Sequence, residues 1–138
     1  MSTDTSAVIL IPLSVTDSML AAGTTIPAVD AAAGEVAWAA GTAYSAGQRV
    51  NHGGSIWESV ASSTGVTPGT DGAKWLRFGP SNRMAPFDEE LNTRAVATGS
   101  MTYVLRPGFF TGLGLWGLQG DHLTVRIHEQ PGGPVVEE

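Results

Sequence analysis

Gln48-Arg49-Val50-Asn51-His52-Gly53-Gly54-Ser55-Ile56-Trp57-Glu58-Ser59-Val60 is the stretch that decides the fold class. Two adjacent glycines separate two β-prone runs, Gln48 to Asn51 and Ile56 to Val60. Glycine pairs supply the positive φ angles of a tight hairpin turn, so the runs read as a β-hairpin. Lys74-Trp75-Leu76-Arg77-Phe78 reads as a third short strand, reached through the turn signal Thr67-Pro68-Gly69-Thr70. Trp38, Tyr44, Trp57 and Trp75 all fall in this unit, residues 36–79, where aliphatic side chains are few. The aromatic rings must therefore supply most of its core.

Outward from the unit the character changes. Residues 1–35 read as an extended arm. Ala7 to Leu13 is rich in β-branched residues and reads as a short strand, with Pro12 favouring a sheet edge. Thr16 or Asp17 can cap a helical turn over Thr16 to Leu20. Ala31-Ala32-Ala33-Gly34 is a small-residue linker. Residues 80–138 read as an antiparallel β module. Gly79-Pro80-Ser81-Asn82-Arg83 marks its boundary. Met101, Tyr103 and Leu105 alternate with polar or smaller neighbours, a period-two strand. Phe109 to Leu118 is apolar on both faces, as for a strand covered on both sides. Leu123, Val125 and Ile127 form a half-wet strand, and Val135-Val136 reads as a strand that ends before it pairs. The expectation is a mainly β chain: a three-stranded aromatic unit, a β-sheet or partial sandwich, and an N-terminal arm.

The composition fits that class. The chain has 138 residues, with 18 glycines, 8 prolines and 42% hydrophobic residues. Charged residues reach 14%, against roughly 25% in an average soluble protein. A weakly charged surface suggests coverage by partners. The net charge is −6, and no Lys or Arg precedes Arg49. Such a chain lacks the basic stripe that nucleic acid or an anionic membrane requires, so neither is expected as a partner. There is no cysteine, hence no disulfide scaffold and no thiolate metal site. The start of the chain has no positively charged leader and Ala7 to Leu13 is too short to span a bilayer, so the expectation is synthesis in a cytoplasm, or exit from it by a route that needs no signal.

No catalytic constellation stands out. Gly112-Leu113-Gly114-Leu115-Trp116-Gly117 spells a dinucleotide-binding pattern. A true site needs a strand before it and a helix opening inside it; here the glycines read as close backbone packing. His122 and His128 would stand roughly 20 Å apart on a strand, too far to share a metal. Asp88-Glu89-Glu90 reads as a solvated loop rather than a glycosidase pair. No enzymatic activity and no cofactor are expected. Trp38, Tyr44, Trp57 and Trp75 read as core; the alternative is a row of exposed rings stacking on sugar.

Trp38-x5-Tyr44-x2-Gly47-x2-Val50, Gly54-Ser55-Ile56-Trp57-Glu58, Pro68 and Trp75 together resemble small chitin-binding-type carbohydrate-binding modules. In that family, aromatics after the second strand commonly face the sugar; here that segment, Ser59 to Gly65, contains none. A second resemblance covers more of the chain. Met19-Leu20, Thr25-Ile26-Pro27, the aromatic unit, Gly79-Pro80-Ser81-Asn82-Arg83-Met84-Ala85-Pro86-Phe87-Asp88 and Leu105-Arg106-Pro107-Gly108 look like a family of tailed-bacteriophage virion proteins. This resemblance implies a non-catalytic structural component of the virion, in the tail, baseplate or fibre-attachment assembly. It implies other copies of the chain and other tail proteins as partners, and a place in the virion after synthesis in the host cytoplasm. The alternative it leaves is host attachment through a surface glycan, with Trp38, Tyr44, Trp57 and Trp75 binding the sugar.

Three groups of residues carry these expectations. Asn82, Arg83 and Asp88 form a structural junction, with Arg83 pairing to Asp88. Val8, Ile9 and Ile11 donate a strand to a neighbouring copy. Open edges and apolar faces predict that an isolated chain is not a self-sufficient monomer.

Overall fold

The computed structural model describes residues 11–88, 90, 92–130 and 132–137. Val8 and Ile9 lie outside the described residues. The chain is mainly β: β1 (Ala43–Tyr44), β2 (Arg49–His52), β3 (Ser55–Ser59), β4 (Ser63–Thr64), β5 (Trp75–Pro80), β6 (Ile127–His128) and β7 (Val135–Glu137). Three short 3-10 turns, Asp17–Met19, Ala31–Ala33 and Ala85–Phe87, are the other regular elements among the described residues.

The sheet is antiparallel in the order β2-β3-β5. His52 faces Ser55 across a two-residue loop in which Gly53 and Gly54 have φ of 60° and 76°. Both positive angles define the turn whose twist matches paired strands, which is why the Gly-Gly step sets the register. A bulge between Ile56 and Trp57 then shifts β3 against β5. The outer edge of β2 is covered by the chain entering the unit: Asn51 N–H donates to Val36 O at 2.7 Å, and Trp38 N–H donates to Asn51 O at 3.0 Å. The small β1-β4 ladder pairs Tyr44 with Ser63.

Tyr44, Val50 and Trp75 are the buried centre of this unit, with Trp38, Trp57 and Val66 packed on them. Trp75 is 2% exposed. Its indole N–H donates to Val66 O at 2.8 Å, so the ring is buried without an orphaned donor. The Tyr44 ring meets it edge-on, 5.2 Å between centroids.

Residues 19–25 dock on their own chain. Arg106 N–H donates to Met19 O, Ala21 N–H to Val104 O and Thr25 N–H to Thr102 O, at 2.8 to 3.0 Å. Leu20 and Leu105 form an isolated antiparallel bridge. The alternating run Met101 to Arg106 thus finds its partner in the N-terminal segment, not in a following strand.

Three expected strands differ from those observed. Phe109 to Leu118 forms no strand, and its apolar side chains are exposed. The run expected over Leu123 to Ile127 is reduced to Ile127–His128. Val135-Val136 does pair: β7 lies antiparallel to β6, and His128 Nδ1 bonds Gly133 O across the turn. Periodicity reports what a strand would bury, whereas a strand forms only where a neighbour accepts its ladder.

Candidate functional site

The four aromatics expected as core or as sugar platform are drawn together in the 36–79 unit, and none is fully exposed. Tyr44 and Trp75 are buried. Trp38 is partly buried, with His52 edge-on at 5.2 Å. Trp57 is partly buried; its indole N–H donates to His52 O at 3.1 Å and its ring lies over Gly69. A Cβ on Gly69 would sit 3.1 Å from that ring, where φ is already +89°, so glycine is needed there twice over. Phe78 is an exposed ring of the sheet, but Arg49 stacks on it at 3.4 Å from the centroid. No flat pair of bare rings results.

Asn82 is the hub of the junction. Its backbone N–H donates to Glu35 Oε1 at 2.6 Å. Its side-chain amide donates to Asp30 Oδ2 at 2.7 Å and Val96 O at 2.9 Å, and accepts from Val96 N–H at 2.8 Å. Glu35 Oε2 also accepts from Asn51 Nδ2 at 2.6 Å and Asp30 N–H at 2.8 Å. Asp30 is buried and caps the Ala31–Ala33 turn by accepting from Ala32 N–H and Ala33 N–H. Two carboxylates are therefore held by amides alone, and one asparagine joins the N-terminal segment, the sheet and residue 96. Sequence reading missed Asp30, Glu35 and Asn51. The signal was Asp30-Ala31-Ala32-Ala33-Gly34, an N-cap residue and a C-terminal glycine around one turn.

Arg83 is largely buried and pairs with Asp17, not Asp88: its Nε lies 3.2 Å from Asp17 Oδ1, off the angle of a hydrogen bond. Asp88 instead accepts from Thr93 Oγ1 at 2.5 Å and Glu90 N–H at 3.2 Å, which folds its own loop. The sequence brought the right basic residue to the junction, but the acid came from the N-terminal segment. Tyr103 packs edge-on against Phe87 at 5.2 Å, and its hydroxyl has no hydrogen-bond partner among the described residues. Burial pushes the Tyr103 phenol up to about 12; nearby Arg83 opposes this and Asp30 adds to it.

Ile11 is 89% exposed. The glycine-rich pattern Gly112 to Gly117 is open coil with no helix following it among the described residues. No group of three His, Asp or Glu side chains gathers as for a metal among the described residues. No helix there is long and apolar enough to cross a membrane. Among the described residues, Phe109 to Leu118 is an exposed apolar run: Phe109 is 90% exposed and Trp116 78%. No family model, no curated protein and no solved structure matches the chain.

Proposed function

We propose that the chain is a non-catalytic structural component of a bacteriophage tail, baseplate or fibre-attachment assembly. The observation that carries this reading is how the chain uses its apolar side chains. Its module aromatics are spent on a core, while an uncharged apolar run from Phe109 to Leu118 is left in the open. An exposed apolar run of that kind is what an interaction site would present. The resemblance through Gly79 to Asp88 supplies the setting. Other copies of the chain and other tail proteins are the partners, and Val8, Ile9 and Ile11 remain the strand offered to a neighbour.

Attachment to a host glycan is the weaker alternative, because Trp38, Tyr44, Trp57 and Trp75 are turned into the unit and Phe78 is capped by Arg49. The test is gold-labelled antibody against the chain on purified particles of the phage that encodes it. Label on tails supports the reading. Chain found in infected cells but missing from purified particles overturns it.

A further inference from the structure

The exposed run has properties that narrow its partner. From Pro107 to Gly120 there is no charged residue, on a chain whose net charge is −6. Phe109, Phe110, Leu113, Leu115, Trp116, Leu118 and, just beyond, Leu123 are all exposed. No hydrogen bond joins residues 107–120 to any other described residue. The backbone donors and acceptors there are open, and open backbone beside apolar side chains invites strand pairing.

We infer that residues 107–120 are a self-association surface, and that the occupant is the same segment of a second copy of this chain. The inference deepens the proposed assembly role by naming its surface, but self-pairing stands or falls without the tail setting. Two arguments select a second copy. The first is electrostatic. Two acidic bodies repel, and the neutral run is where they can approach without placing like charges together. A neutral run also offers no handle to a charged partner, so its match is another neutral apolar strand, which each copy carries. The second is area. The exposed parts of these seven side chains amount to about 700–1,000 Å², taking ~170–240 Å² for each whole side chain. That exceeds the ~300–600 Å² of a typical monomer's largest patch and reaches the ~800 Å² that each partner gives to a standard interface. The glycines at 112, 114 and 117 leave room for a second backbone to come close.

The full chain, and a variant carrying Phe109→Asp with Trp116→Asp, are compared by sedimentation over a range of concentrations. The wild-type chain is expected to associate. The variant should weaken association at least about 100-fold, since central aromatic anchors dominate such interfaces. Both replaced residues are exposed, so the variant's thermal unfolding should match the wild type's. Trp116 is the tryptophan outside the aromatic unit, and its emission should shift to the blue as wild-type chains associate. A wild-type chain that stays monomeric at about 100 μM overturns the inference, as does a folded variant that associates unchanged. A monomeric chain that still labels tails would overturn self-pairing and keep the tail reading. A self-pairing chain absent from particles would do the reverse.

Discussion

Trp75 and Trp116 are the same residue in opposite circumstances. Trp75 is 2% exposed, holds a hydrogen bond through its indole and has Tyr44 against its face. Trp116 is 78% exposed in a run without hydrogen bonds to the rest of the described chain. Each has a leucine beside it in sequence, Leu76 after Trp75 and Leu115 before Trp116. What separates them is whether the chain supplies a second layer. Residues 36–80 close a sheet over their rings with an incoming strand, a turn and a small ladder. Residues 107–120 follow a segment already paired with residues 19–25, so the local chain has no further layer to give. Apolar sequence predicts a need for cover; topology decides who meets it.

The sharpest way to break this contrast is to truncate each tryptophan. Trp75→Ala should cost about 3–5 kcal/mol in denaturant unfolding and take the module's cooperative transition with it. Trp116→Ala should stay within about 0.5 kcal/mol at concentrations where the chain is monomeric. Equal losses would mean that the run is packed after all. Next in size is Asn82→Ala. It removes two amide donors and one acceptor and leaves the buried Asp30 carboxylate short of a partner. A loss of about 2–3 kcal/mol is expected, with faster protease cleavage between residues 16 and 35. A smaller contrast sets two glycines side by side. Gly69→Ala forces a Cβ onto the Trp57 ring at positive φ and should cost about 1–3 kcal/mol. At Gly120→Ala nothing lies within 4 Å and φ is not positive, so the change should be neutral or slightly stabilising.

The smallest effect concerns Tyr103. Its folded phenol is raised to about 12, above the ordinary value of 10.0. The folded chain therefore holds its proton more tightly than the unfolded chain. This contribution is complete below about pH 10 and fades as pH rises toward 12. Tyr103→Phe should flatten that part of the stability–pH curve. At pH 7 it should cost under about 0.5 kcal/mol, because the hydroxyl has no partner to lose. A large loss at neutral pH would mean that the hydroxyl makes a bond after all.

The aromatic unit was legible in the sequence because its signals are local. Gly53-Gly54 set the hairpin, and the rings of Trp38, Tyr44, Trp57 and Trp75 pointed to an aromatic core, in which Tyr44 and Trp75 are the buried centre together with Val50. The turn at Asn82 and Arg83 was legible from Gly79-Pro80 and the pair of polar residues that follows. Their partners were not: Asp17, Asp30 and Glu35 lie about 50 to 65 positions earlier, and no local pattern announces such pairings. The strands expected beyond Met101 failed for a related reason. Alternation at Tyr103 and Leu105 was real, but the docking partner was the turn at Met19 and Leu20. The Phe109 run carried strand-like composition without a mate among the described residues.

Thr24 and Val104 meet across 80 residues of sequence, and this gives the chain a timetable. At about 5–20 residues per second of synthesis, the N-terminal segment waits roughly 4–16 s for residues 102–106 to be made. The hairpin and its rings lie wholly inside that interval and can be finished first. The neutral run is made after residues 102–106, once the mate for Met19 and Leu20 already exists. A nascent chain thus has a mate for its own loose N-terminal segment before it displays the surface on which copies would meet, an order that favours joining finished molecules over tangling half-made ones.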